Sequence, residues 1–194
     1  MKTDSFWREP NFPGEYQALG LVFGVWFPKG DNKSTTGWLL CDQGCSQIES
    51  SILGKDTREF IYSHRDLRST KNYFNVYPRL VNGQLTFQVN MLHNKNASNW
   101  SDWLQTLEAH TDQFRIRGVI HGIKKDALVV HVKQNVKANK TPNFEFDVEV
   151  RGEVDSLGVG QFVEVFARRT GYVLEIESIE LMEDVPSPSI AWAR

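Results

Sequence analysis

The chain is poor in cysteine and has no long apolar run. Only two of its 194 residues are cysteines, Cys41 and Cys45, too few for a disulfide-stapled secreted scaffold. Their Cys-x-x-x-Cys spacing has no second Cys or His pair nearby, so we expect two reduced thiols and no zinc site. No stretch approaches the roughly 18 apolar residues of a membrane span, and the N-terminus lacks the apolar run of a signal peptide. We therefore expect a soluble cytoplasmic protein that does not bind a membrane.

The chain also lacks the motifs of catalysis. None of its five histidines forms a His-x-x-x-His pair, and none lies beside a Gly-x-Ser-x-Gly nucleophile elbow. His121 and His131 are predicted to lie on the two strands of one hairpin, where a histidine pair is usually solvated or packed and only rarely a metal site. We predict a non-catalytic protein with no cofactor and no metal site.

A strong net charge is absent as well, because 24 acidic residues nearly balance 22 basic ones and leave −2. The charges are nevertheless segregated along the chain. Residues 115–140 carry a net +6 and residues 145–184 a net −8. Such segregation is typical of a domain with one basic and one acidic side. It also fits opposite charges paired across neighbouring strands of one barrel, and we favour this second interpretation.

The clearest structural pattern lies between Phe114 and Val132. Apolar and polar residues alternate up to residue 123, the period of two typical of a strand, and the alternation resumes after a polar turn at residues 124–127. We therefore predict a β-hairpin. Gly20-Leu-Val-Phe-Gly24 matches Gly118-Val-Ile-His-Gly122, and glycines inside a strand favour bulges or bends that let it curl. The chain thus looks like two copies of one small β-domain.

The first copy has a β-β-β-α-β-β pattern. Its strands are predicted at residues 16–27, 37–41, 48–54, 73–80 and 85–91. Asn82-Gly83, between two alternating segments, is a strong hairpin signal. Apolar residues at helical spacing after Asp56, a plausible N-cap, predict a helix over residues 56–67.

A second helix is predicted over residues 99–110, and the second copy follows it. Trp100, Trp103, Leu104 and Leu107 fall on one helical face, which we expect to dock into a groove of the protein itself. The later strands of the second copy are predicted at residues 144–151, 161–169 and 172–181. A turn-rich connection at residues 154–160 stands where the first copy has its helix.

Five strands, a glycine-bent first strand and an optional helix after the third strand resemble the OB-fold, a five-stranded Greek-key barrel. The segment Gly158-Val-Gly160-Gln-Phe-Val-Glu-Val also resembles the run into the fourth strand of OB domains. Over nearly its full length the chain is similar to an uncharacterised tandem OB-fold-like family of cyanobacteria, which brings no established chemistry. The resemblance implies a mainly β protein of two tandem five-stranded OB-like barrels joined by a short Trp-rich helix. The predicted divisions are an irregular arm (1–15), barrel 1 (16–93), a linker helix (94–111), barrel 2 (112–183) and a flexible tail (184–194).

Two functions are consistent with such a chain. OB-folds bind single-stranded nucleic acid or oligosaccharide on the face of strands two and three, or serve as protein-binding modules. We favour a non-catalytic protein-interaction or scaffold module with an unidentified protein partner. The alternative is binding of single-stranded DNA or RNA through the basic face of the second barrel. For that alternative Trp38 and Phe27 are the stacking candidates, and the phosphate-binding candidates are Arg115, Arg117, Lys124, Lys125, Lys133 and Arg168.

Overall fold

The computed structural model describes residues 6–30, 34–41, 46–53, 55–63, 70–93, 100–135, 144–154 and 156–182. These residues form ten strands and two short helices, so the predicted mainly β fold class is confirmed. Neither helix of the described chain is long and apolar enough to cross a membrane. Cys41 lies buried on a strand, whereas Cys45 and the predicted tail fall outside the described residues.

The first barrel has five strands at the predicted positions in the chain, with the predicted helix between the third and the fourth. The strands are β1 (Gln17–Pro28), β2 (Thr36–Cys41), β3 (Ser46–Ile52), β4 (Asn72–Val81) and β5 (Gln84–Leu92). β1 pairs antiparallel with both β2 and β4, β2 pairs with β3, and β3 runs parallel to β5, which pairs with β4. Because β1 has a partner along each edge, the five strands close into a barrel.

Large apolar side chains fill this barrel. Trp26, Phe74, Phe87, Leu21 and Leu39 are each at most 1% exposed, and each buried side chain of this size stabilises the fold by about 1.5–3 kcal/mol. The indole N–H of Trp26 donates a hydrogen bond to Ser50 Oγ at 3.1 Å, so its one polar group is satisfied inside the core.

The Asn-Gly turn lies where the sequence predicts it, between β4 and β5. Asn82 and Gly83 both have positive φ, 51° and 76°, as the two-residue hairpin turn that follows the twist of the strands requires.

Two helices accompany the first barrel in the chain. α1 (Lys55–Ser63) lies between β3 and β4, and α2 (Trp100–His110) lies between β5 and β6. α2 confirms the predicted short helix between the barrels. Its predicted apolar face is only partly buried, since Leu107 is fully buried while Trp103 is 44% exposed. Helix α1 ends in the structure at Ser63, and the predicted continuation at residues 64–67 falls outside the described chain.

The second barrel repeats the strand order without a helix. Its strands are β6 (Gln113–Lys124), β7 (Ala127–Lys133), β8 (Glu145–Arg151), β9 (Phe162–Thr170) and β10 (Val173–Leu181). β6 pairs with β7 and β9, β7 pairs with β8, and β8 runs parallel to β10, which neighbours β9. The described residues between β8 and β9 contain turns and no helix, as predicted. Its compact unit also contains the described part of the N-terminal arm.

One glycine of each matched pair lets two strands approach closely. A Cβ on Gly24 would meet the carbonyl group of Leu40, and a Cβ on Gly118 would meet that of His131. Their neighbours Val25 and Val119 are the residues paired with Leu40 and His131. Gly24 therefore corresponds to Gly118, so the predicted match of Gly24 with Gly122 is wrong by four residues.

Candidate nucleic-acid interface

Two aromatic side chains lie next to each other on the outer side of the first barrel. Phe27 on β1 is paired with Trp38 on β2, and Trp38 is paired with Glu49 on β3. Directly paired residues of antiparallel strands project from the same face of a sheet. Phe27 is 42% exposed and Trp38 is half-buried, so both rings are accessible and belong to the surface rather than the core. We call Phe27 and Trp38 the aromatic pair.

The sequence around the aromatic pair explains why these rings face outward. Trp26 and Leu39, their immediate neighbours, alternate with them and point into the core. Gly37 leaves the space that the Trp26 ring fills, since a Cβ at residue 37 would lie 2.8 Å from Trp26 Cζ2. Of the two consecutive aromatic residues, Trp26 therefore lies in the interior and Phe27 at the surface.

Among the described residues, Lys29 lies beside the aromatic pair. Lys29 Nζ lies 5.5 Å from the centroid of the Trp38 ring and 3.6 Å from Glu49 Oε1. Both charged groups are about half exposed, so their ion pair contributes at most about 1 kcal/mol. The described part of this surface thus offers ring faces for stacking, together with the ammonium group of Lys29 for a phosphate.

The corresponding strands of the second barrel present different chemistry. His131 on β7 is paired with Val119 on β6 and with Asp147 on β8. In the neighbouring rows of β7 and β8, Lys133 faces Glu145 and Val129 faces Glu149. These rows contain three carboxylates and no Phe, Tyr or Trp, so they form neither an aromatic platform nor a continuous basic surface. Of the two interpretations of the charge segregation, opposite charges paired across neighbouring strands describe this face better than a single basic surface does.

Two of the predicted phosphate contacts lie inside the protein. Arg115 is 5% and Arg117 is 1% exposed. The Arg115 guanidinium forms an ion pair with the buried carboxylate of Glu164, and Arg117 Nη1 lies 3.9 Å from Glu164 Oε2. Burial lowers the pKa of Arg117, and the charge of Glu164 opposes that shift.

The N-terminal arm covers these two arginines. Arg115 Nη1 donates a hydrogen bond to the carbonyl oxygen of Arg8 at 3.2 Å, and Arg117 donates one to that of Pro13. Within the arm, burial alone would raise the pKa of Glu15, but hydrogen bonds from Arg8 and from the Asn11 backbone outweigh it and lower that pKa. Arg115 and Arg117 therefore lie where phosphate in solvent does not reach them. The prediction that these two arginines bind phosphate is wrong, and their role is structural.

The other four predicted cations are at the surface in different settings. Lys124 forms an ion pair with Glu149, and Arg168 forms one with Glu177 at 2.5 Å. Lys133 Nζ lies 5.0 Å from the centroid of the Tyr16 ring. Lys125 is exposed at the tip of the β6–β7 hairpin, beside Lys124. Of these four cations, Lys124 and Lys125 are exposed neighbours in the chain, and the role of all four in binding stays a prediction.

Sequence reasoning missed two residues of these surfaces, Lys29 and Tyr16, and the buried partner of the two arginines, Glu164. Lys29 follows β1 directly, and its position beside Trp38 required knowledge of the β1–β2 register. Tyr16 stands at the end of the arm, and its contact with Lys133 joins residues more than 100 positions apart in the chain. Glu164 is one of many alternating acids in the second half. None of these contacts has a local signal in the sequence.

Residues 116–183 match the model of a family described as a cyanobacterial OB-fold-like RNA-binding domain, C-terminal. The matched segment covers most of the second barrel and about a third of the chain. Together with the closed five-stranded topology, it confirms the resemblance to an OB-fold family for this part of the protein. No curated protein matches the chain. The match concerns RNA and gives no support to a protein-interaction module, which stays a prediction.

Proposed function

We propose that this protein binds single-stranded RNA without catalysing a reaction on it. The observation that carries the proposal is the match of residues 116–183 to an OB-fold-like RNA-binding family. Proteins that recognise RNA by sequence or strand state read mostly unpaired bases, which stack on aromatic side chains while cations contact the phosphates.

In this proposal the aromatic pair supplies the stacking surface, although it lies on the first barrel and outside the matched residues 116–183; its support is its geometry alone. It lies on the outer face of the first two strands of its barrel, next to the third strand, and OB-folds bind oligonucleotides over strands two and three. Lys29 provides a nearby cation. Bases stacked on Phe27 and Trp38 would each contribute about 1–3 kcal/mol.

The first test is fluorescence anisotropy of labelled single-stranded RNA titrated with the full chain at low salt. We expect binding that is about 5- to 150-fold weaker for Phe27→Ala and for Trp38→Ala, the range that corresponds to one stacked base. Trp103→Ala is the matched control, because Trp103 is also an exposed tryptophan but lies on helix α2. It should bind like the wild type.

The two parts of the proposal fail separately. Absence of RNA binding by the wild-type protein at low salt would overturn the function itself. Normal binding by both Phe27→Ala and Trp38→Ala would keep the function and remove the aromatic pair as its site. A labelled DNA of the same sequence shows whether the 2′-hydroxyl groups contribute.

A further inference from the structure

Two histidines and an aspartate converge on the outer face of the second barrel. The rings of His121 and His131 are 5.5 Å apart, centroid to centroid, and nearly perpendicular. Asp147 Oδ1 lies 3.3 Å from His121 Nδ1 and 2.9 Å from His131 Nδ1. One potential ligand atom from each of the three side chains lies within 4.8 Å of the other two. We call these residues the His-His-Asp cluster.

The fold places the three residues there by register and by a bulge. His131 and Asp147 are directly paired on β7 and β8, so their side chains project side by side. The β6–β7 register shifts between Ile120 and Gly122, which makes His121 the extra residue of a β-bulge. A bulge changes the direction of a side chain and leaves one residue without a partner in the strand pairing. Here it directs the imidazole of His121 toward that of His131.

A fourth residue, Glu145, lies beside the second ring nitrogen of His131. His131 Nε2 lies 3.5 Å from Glu145 Oε2. When Nδ1 of an imidazole binds a metal ion, its other nitrogen carries a proton that a neighbouring carboxylate commonly accepts, which fixes the ring and raises its basicity. Glu145 is in position for that role toward His131. His131 is also the most buried of the three side chains, 25% exposed against 33% for Asp147 and 63% for His121.

We propose that the His-His-Asp cluster binds a divalent transition-metal ion, with Zn²⁺ as the best-suited ion. Two imidazoles and one carboxylate are a ligand set of zinc and of other late first-row metals, whereas Mg²⁺ and Ca²⁺ prefer oxygen ligands. Donor atoms about 2.1 Å from a tetrahedral zinc ion are about 3.4 Å apart. The His121–Asp147 distance of 3.3 Å is close to that value, and the His131–Asp147 distance of 2.9 Å is about 0.5 Å shorter, so the two donor atoms would have to separate slightly to hold the ion.

The cluster is independent of the aromatic pair and of the proposed RNA binding. It also departs from the sequence-based expectation of no metal site. Three protein ligands leave at least one coordination position for water or for an outside ligand. The chain supplies the charge balance itself, since Asp147 and Glu145 bring two carboxylates to one divalent ion.

Calorimetric titration of the full-length protein with zinc chloride tests the site. We expect one equivalent of tightly bound Zn²⁺ per chain, and weaker binding by a factor of about ten or more in His121→Ala and in Asp147→Asn. Both side chains are partly exposed, and thermal melts of the variants without added metal establish that they remain folded. Magnesium chloride titrated in the same way should give no comparable heat.

Two further variants separate the cluster from other zinc ligands of the chain. His110→Ala removes a histidine of helix α2 and should leave the affinity unchanged. Glu145→Gln keeps all three ligands and should weaken binding about tenfold, the smallest effect typical of an orienting carboxylate. Unchanged zinc affinity in both His121→Ala and Asp147→Asn, or an equal loss in His110→Ala, would overturn the proposal.

Discussion

At the scale of single residues, Glu164 is a buried acid whose charge is balanced by two buried arginines. Its carboxylate is 9% exposed and lies between the buried guanidinium groups of Arg115 and Arg117. Removing one member of a buried ion cluster leaves the other charges uncompensated, which costs about 3–5 kcal/mol. We expect Glu164→Gln to lower the free energy of unfolding, measured by urea denaturation, by an amount of that order.

Glu177→Gln is the control for this change. Glu177 also pairs with an arginine, Arg168, but both side chains are 40–45% exposed, and such surface pairs contribute about 0–1 kcal/mol. If the two substitutions destabilise the protein equally, the buried ion cluster of Arg115, Glu164 and Arg117 does not stabilise the packing of the arm on the second barrel.

Gly118 and Gly122 lie on the same strand and allow a matched comparison. A Cβ on Gly118 would collide with the backbone of His131 and lie 2.8 Å from Val130 Cγ1, whereas the nearest atom to a Cβ on Gly122 is 3.8 Å away. Overpacking of this kind costs about 1–3 kcal/mol. Gly118→Ala should therefore lower the melting temperature clearly, and Gly122→Ala should change it little. A larger loss at Gly122 would contradict the role assigned to the close strand approach.

The burial of Arg115 and Arg117 could not be predicted from the sequence. Alternation correctly placed Arg115 and Arg117 opposite the apolar residues of β6, but it does not distinguish an outward side chain in solvent from one beneath another segment. The covering arm lies about 100 residues earlier in the chain. Phe27 and Trp38 were predicted as separate stacking candidates, and only the β1–β2 register made them neighbours.

At the scale of elements, helix α2 has one fully buried residue, Leu107. Leu107 is fully buried while Trp103, one turn earlier, is 44% exposed. Replacing a buried leucine with alanine costs about 2–5 kcal/mol, so Leu107→Ala should shift the urea midpoint strongly and Trp103→Ala only slightly. A larger effect of Trp103→Ala would show that the indole, and not Leu107, fixes the helix.

Strands and turns were the most predictable elements because their signals are local. Alternation, together with the turn signals between segments, predicted the ten strands that the structure describes, and Asn82-Gly83 predicted a turn whose two positive φ angles suit those residues. The bulge at His121 could not be located from the sequence. Glycines indicated a bend in β6, but the extra residue was visible only from the β6–β7 pairing, and with it the meeting of His121, His131 and Asp147.

At the scale of the whole molecule, the net charge limits how the proposed RNA binding could occur. The chain has a net charge of −2, so long-range attraction does not concentrate a polyanion on it, and binding depends on local cations. With Arg115 and Arg117 buried, the exposed Lys124 and Lys125 of the β6–β7 hairpin tip are the adjacent pair that remains of the predicted basic face. Lys124 must share its ammonium group with Glu149.

A double charge reversal tests whether this hairpin tip contacts phosphate. For single strands the logarithm of the binding constant falls with the logarithm of salt concentration with a slope of about −0.7 per phosphate contact. Lys124→Glu/Lys125→Glu should therefore weaken RNA binding at about 50 mM salt and flatten the slope by about 1.4. Anisotropy titrations between about 50 and 200 mM salt measure both quantities.

Overall charge must be separated from local contact in this experiment. The double variant changes the net charge from −2 to −6, since each Lys→Glu change contributes −2. Lys55→Glu/Arg58→Glu makes the same change on helix α1, and it should leave the slope close to that of the wild type because no phosphate contact is lost. Equal weakening by both double variants would mean that repulsion by the whole molecule, rather than the hairpin tip, governs the effect, and the phosphate-binding role of Lys124 and Lys125 would be abandoned.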